Sequence, residues 1–125
     1  MAKRILCVDD EISIRQLFNE ELTEAGYDVD TAGSGEEALS KLRGGPAPDL
    51  VLLDIRMEDM TGLDVLQAIR PELPTLPVIM VTAVRGLRDD FAIEGDDHVV
   101  DYIAKPVDLD DLRAKVAKAL GVLGV

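Results

Sequence analysis

Five polar residues that follow apolar runs are of types that could act together: Asp9 and Asp10 after Ile5–Val8, Asp54 closing Leu50–Asp54, Thr82 after Val78–Val81, and Lys105 after Val99–Ala104. Three carboxylates brought together repel one another and raise each other's pKa unless a cation neutralises them. With no His or Cys among them, the oxygen-only donors favour a hard ion such as Mg²⁺ over zinc. A carboxylate beside Mg²⁺, a lysine and a threonine hydroxyl suits phosphoryl transfer. Asp54 would attack phosphorus, Lys105 would offset charge on the equatorial oxygens, and Thr82 would donate a hydrogen bond, leaving an aspartyl phosphate. Taken singly, Asp9 and Asp10 also read as helix caps, Thr82 as an ordinary strand residue and Lys105 as a surface charge. Asp54 resists such a reading, because an aspartate ending a fully apolar strand is costly without partners.

The elements that must position these residues alternate along the chain. Ile5–Val8 is a first strand. From Glu11, Ile14, Leu17, Phe18, Leu22 and Ala25 recur at helical spacing until Gly26. Tyr27, Val29 and Thr31 alternate with Asp28 and Asp30, which predicts a half-exposed edge strand. Ser34 and Glu37 form a capping box for a second helix carrying Ala38, Leu39 and Leu42, ended by GGPAP. The uninterrupted run LVLL before Asp54 predicts a strand buried on both faces. Thr61 and Asp64 cap a third helix with Leu63, Leu66 and Ile69, which Pro71, Pro74 and Pro77 stop. Val78–Val81 is a fourth strand. Between Gly86 and Asp97 only Leu87 and Phe91 keep the spacing, which predicts a short, partly unwound fourth helix. Val99–Ala104 is the fifth strand, and Asp108 caps a last helix bearing Leu109, Leu112, Val116 and Leu120.

Five strand–helix alternations imply parallel strands joined by right-handed crossovers, an α/β three-layer sandwich. In the flavodoxin-like (βα)5 order 2-1-3-4-5 the first and third strands are neighbours, and Asp9, Asp10 and Asp54 meet at the switch point. The 125 residues, 47% of them apolar, suit one domain over residues 1–125. A net charge of −12 argues against direct contact with nucleic acid or an anionic membrane. Cys7, the single cysteine, lies in an apolar run and reads as a buried hydrophobe, in keeping with a reducing compartment. No apolar run is long enough to span a bilayer and no secretory leader is apparent, so a cytoplasmic location is expected.

Taken in order, VDDE at Val8–Glu11, LLDIRMEDMTG at Leu52–Gly62, VTA at Val81–Ala83 and DYIAKP at Asp101–Pro106 resemble a response-regulator receiver domain over essentially the whole chain. The resemblance implies Asp54 as the phosphorylated residue and Asp9 and Asp10 as the acidic pair holding Mg²⁺. It implies a backbone carbonyl ligand at Arg56, phosphate contacts from Thr82, Ala83 and Lys105, and Thr82 and Tyr102 as switch residues. It further implies a cis peptide before Pro106, and Arg56 and Val84 as positions that tune phosphoryl lifetime. Val84 offers no polar group to orient water, which predicts slow self-hydrolysis. The implied partners are a sensor histidine kinase or phosphotransfer protein and a downstream protein or output domain. They are reached through a face made by the fourth helix, fifth strand and fifth helix, which could also serve a phosphorylation-dependent dimer. Such a domain is a signalling switch that assists its own phosphorylation and dephosphorylation rather than an enzyme.

Two departures stand out. Glu58 occupies a position where the family often has proline, so the loop after Asp54 is expected to be less rigid. His98-Val99 replaces the usual small pair before the fifth strand, and His98 reads as a turn residue. Among competing readings, a haloacid-dehalogenase-like phosphatase lacks its general acid, since Arg56 stands at the second position after the nucleophile. A flavin-binding module lacks a hydroxyl-rich phosphate loop and has few aromatics. A receiver acting as a phosphate-independent interaction module is the remaining alternative.

Overall fold

The computed structural model describes residues 2–83 and 99–121. Five strands, β1 (Arg4–Val8), β2 (Asp28–Ala32), β3 (Leu50–Asp54), β4 (Val78–Thr82) and β5 (Val99–Ala104), form one sheet in the order β2-β1-β3-β4-β5. Every neighbouring pair is parallel. This is the flavodoxin-like arrangement read from the sequence. Four helices are described: α1 (Ile12–Glu24), α2 (Gly35–Arg43), α3 (Gly62–Ile69) and α4 (Leu109–Ala119). The expected fourth helix, with Val84 and His98 at its flanks, lies outside the described residues, so the expected fifth helix is α4.

Period-two alternation in the buried strands sends side chains into two cores. Leu6, Val8, Val51, Leu53, Val78 and Met80 face α2 and α3, where they meet Ala38, Leu42, Val65, Leu66 and Ile69. Ile5, Cys7, Leu50, Leu52, Ile79, Val81 and Ile103 face the other way and meet Phe18 and Leu22 of α1 and Leu112 and Val116 of α4. Burial on both faces is why β3 tolerates no polar residue until Asp54. Strand β2, at the sheet's edge, is buried only at Ala32, as its alternation foretold.

The helix ends follow local chemistry with two adjustments. Thr61 and Asp64 form the reciprocal capping box of α3, and Asp108 accepts from the amides of Asp110 and Asp111. At α2 the box is shifted: Ser34 Oγ accepts from the Glu37 amide at 3.0 Å, but Glu37 Oε1 turns to the Gly33 amide at 2.9 Å. In α3 the buried stripe is Val65, Leu66 and Ile69, with Leu63 only half-buried. Helix α1 stops at Gly26, whose φ of 101° is a conformation open chiefly to glycine.

Candidate phosphoacceptor site

The candidate residues gather at the carboxyl ends of β1, β3, β4 and β5. Asp9 follows β1 directly, and the Asp9 carboxylate folds back to accept the Glu11 amide at 2.9 Å, so it spans the turn into α1. Glu11 itself is the N-cap of α1, with no side-chain cap bond. Asp54 is the last residue of β3 and is buried among apolar neighbours. In the ladder Asp54 pairs with Val81, which places Thr82 one residue further along the neighbouring strand. The Lys105 amide donates to the Thr82 carbonyl at 2.9 Å, tying the end of β5 to that of β4.

Lys105 crosses the sheet end to reach the acids. The Lys105 Nζ lies 2.9 Å from Asp9 Oδ2, 3.4 Å from Asp54 Oδ2 and 3.6 Å from Glu11 Oε1. The Arg56 amide donates to Asp54 Oδ1 over a long 3.4 Å. Asp9, Asp10 and Asp54 each offer a carboxylate oxygen, and the three lie within 4.8 Å of one another. Burial first, and then the Asp9 charge, push the Asp54 carboxyl up to about 6, against the pull of Lys105 and the Arg56 amide. For Lys105 burial opposes the charge, but Asp9, Asp54 and Glu11 outweigh it and raise its pKa. Burial also raises the Cys7 thiol well above its ordinary range, leaving it inert in the core.

The residues present fit a divalent cation. Three carboxylates converge beside one ammonium, which Glu11 also approaches, so the acids outnumber Lys105 at this end of the sheet. Asp9 Oδ2 is buried and accepts no hydrogen bond, its 2.9 Å approach to Lys105 being an ion pair that falls short of hydrogen-bond geometry. An oxygen-only set whose buried Asp9 Oδ2 has the Lys105 ammonium beside it but no hydrogen bond of good geometry is what a hard cation would complete.

Other residues fall around this centre. Tyr102 is not at the acidic cluster. It sits mid-strand in β5, paired with Met80 and packed against the α2/α3 core, while its carbonyl accepts from Lys115 Nζ at 2.6 Å. Ala83 is exposed just past β4, and the Lys105–Pro106 peptide is cis. Val84 lies outside the described residues. Three neighbours escaped the sequence reading. Glu11 was visible in VDDE but read only as a helix start. Arg15, which donates from Nη1 to the Asp9 carbonyl at 2.6 Å, carries no local signal at all. Gly62 was visible as a loop end, yet only the fold shows that a Cβ there would come within 2.3 Å of the Asp54 carbonyl oxygen.

The profile of the response regulator receiver domain matches residues 5–117. The chain belongs to the response regulator receiver family. The receiver is 39% identical over 114 residues to the luminescence regulatory protein LuxO of Vibrio campbellii, covering 90% of this chain and 24% of that protein. It thus spans about a quarter of the length of that relative. The crystal structure of the response regulator TrrA from Thermotoga maritima with Mg²⁺-BeF superposes on the receiver with a TM-score of 0.85 at 44% identity, covering 94% of this chain and 99% of that one. TrrA in complex with the histidine kinase ThkA gives a TM-score of 0.83 at 44% identity, covering 94% and 98%. Response regulator receivers are signalling domains of two-component systems. Among the described residues no helix of this receiver is long and apolar enough to cross a membrane.

Proposed function

We propose that the chain is a phosphoacceptor switch in which Asp54 receives a phosphoryl group from the phosphohistidine of a sensor kinase or phosphotransfer protein, or from a small phosphodonor. The reading is supported above all by the placement of Lys105 between Asp9 and Asp54, beside three convergent carboxylates. Asp54 Oδ attacks phosphorus in line and a P–O bond forms as the donor's bond breaks: the P–N bond of phosphohistidine, whose imidazole leaves with a proton from solvent, or the P–O bond of acetyl phosphate, which leaves as acetate. The Lys105 ammonium and the hydroxyl of Thr82 hold the phosphoryl oxygens, with the Ala83 amide beside them. Asp9, Asp10, Asp54 and the Arg56 carbonyl would hold Mg²⁺, which supplies charge neutralisation at the transferring group. Burial and the Asp9 charge disfavour the ionised, nucleophilic form of Asp54, and a bound cation would relieve that cost.

The output would be a population shift. With Asp54 phosphorylated, Thr82 moves toward the phosphoryl group and Tyr102, now half-buried against the core, turns further inward to fill the space. The face of β5, α4 and the preceding segment then changes for a downstream protein or output domain, or for a second copy of the chain. Arg56 and Val84 would set the lifetime of the phosphoryl group. In this reading the chain is one receiver domain working in the cytoplasm, apart from nucleic acid, and it assists its own phosphorylation and dephosphorylation without being a separate enzyme.

Intact mass after incubation with acetyl phosphate or phosphoramidate and Mg²⁺ tests this. One added phosphate that is absent in Asp54→Asn and in chelator is the expected result. No addition under any condition would move the function to a phosphate-independent interaction module.

A further inference from the structure

We infer that Asp59 is a positioning residue: from the tip of the β3–α3 loop it clamps onto the amides that open α2, and so holds the loop whose Arg56 carbonyl the cation site would use. This rests on the cation site proposed above. Asp59 Oδ1 accepts the Gly35 amide at 3.1 Å and Asp59 Oδ2 accepts the Glu36 amide at 2.9 Å, across 24 and 23 residues of chain. Beside this clamp Met60 is seated so closely over Gly35 that a Cβ there would come within 2.1 Å of the Met60 Cγ. At its base the loop is closed by the Gly62 amide, which donates to the Ile55 carbonyl at 2.8 Å. Arg56 lies between base and tip.

Two observations separate loop positioning from plain helix capping. Ser34 caps α2 locally at the Glu37 amide, whereas Asp59 takes the Gly35 and Glu36 amides from outside the helix, so its share of the cap is also a tie to the loop. The loop in turn has little else to hold it. Beyond Ile55, which is buried in the core, Arg56, Glu58 and Asp59 are exposed, Met57 and Met60 are half-buried against the core, and the Arg56 amide reaches Asp54 over a long 3.4 Å. The exposed Asp59 carboxylate, with each oxygen accepting an amide of a helix more than twenty residues away, is the point that fixes the tip of the loop. The α2 dipole favours a carboxylate there over a neutral group.

The test compares Asp59→Ala and Asp59→Asn with Ser34→Ala, which removes a cap of α2 without touching the loop. Mg²⁺ titration of the purified chain by calorimetry reads the site, and amide exchange of residues 56–58 without metal reads the loop. The Asp59 variants should weaken Mg²⁺ about tenfold and speed loop exchange, with Asp59→Asn, which keeps one acceptor, the milder. Ser34→Ala should lower the melting temperature while leaving both readings within about twofold of wild type, as a lost cap alone would. Wild-type Mg²⁺ affinity in the Asp59 variants, or an equal loss in Ser34→Ala, overturns the inference. If the wild-type chain takes up no Mg²⁺, the cation site itself fails, and the exchange of residues 56–58 still decides whether Asp59 holds the loop.

Discussion

Lys105 Nζ and Asp54 Oδ2 stand 3.4 Å apart although 51 residues separate them in the chain. The pair exists because β4 separates β3 from β5 in the sheet, and all three strands run toward the same edge. With Asp9 Oδ2 at 2.9 Å on the other side, one ammonium serves two buried acids.

Removing that ammonium should cost stability as well as chemistry. Lys105→Met removes the ammonium that pairs with both Asp9 and Asp54, and stability at pH 8 without Mg²⁺ should fall by about 2 kcal/mol. The loss should shrink toward pH 5, where Asp54 takes up a proton. Urea denaturation at the two pH values checks this, and an equal loss at both would contradict the charge argument. Phosphorylation by acetyl phosphate should slow at least about tenfold.

Asp54 carries a pH signature of its own. Its pKa of about 6 in the folded chain lies above the ordinary value, so the fold favours the protonated form. The stability this contributes is fully present below about pH 4 and is lost as pH rises through about 6. Asp54→Asn should therefore match the wild type near pH 4 and exceed it by about 1–2 kcal/mol at pH 7 in chelator, the figure being discounted for partial solvation. Melting both proteins across that range is the measurement, and a constant difference would count against it. Glu37 and Asp59, held low chiefly by backbone amides, pull the overall profile the other way, which is why the difference between the proteins is the quantity to follow.

Gly62 packs against the main chain of Asp54. A Cβ there would come within 2.3 Å of the Asp54 carbonyl oxygen and 3.1 Å of the Ile55 Cα, and neither is a flexible side chain. Gly62→Ala should lower stability by more than about 2 kcal/mol and slow Asp54 phosphorylation, although alanine is the better helix former. Denaturation midpoints comparable to wild type would refute the crowding.

Arg15 holds the turn that carries the acidic pair. Its guanidinium bonds the Asp9 carbonyl on one side and lies against Gly33 on the other, where an added Cβ would come within 2.9 Å of Nη1. Arg15→Ala and Gly33→Ala should then weaken Mg²⁺ to a similar degree, about 3- to 10-fold, since each displaces the same guanidinium. Combined, the two changes should be less than additive. Fully additive effects in a titration would separate the residues.

Much of this was legible from local pattern. The apolar runs fixed where strands lie, Thr61, Asp64 and Asp108 marked helix starts, and the polar residues at strand ends pointed to one edge of the sheet. Where the reading slipped, a tertiary neighbour had intervened. Glu37 bonds the Gly33 amide rather than that of Ser34, and α3 buries Val65 while leaving Leu63 half-exposed, because the angle at which the helix meets the sheet selects the stripe. The weakly periodic stretch from Gly86 to Asp97 lies outside the described residues.

By itself the sequence determined the alternation of strands and helices, the double-sided burial of β3 and the presence of carboxylates, a hydroxyl and an amine at strand ends, because these depend on propensity and periodicity within a few residues. Only the tertiary structure decided which of them meet. Lys105 between Asp9 and Asp54, Arg15 on the Asp9 carbonyl and Asp59 on α2 all depend on crossover connections and strand register, which bring residues far apart in the chain to hydrogen-bond distance.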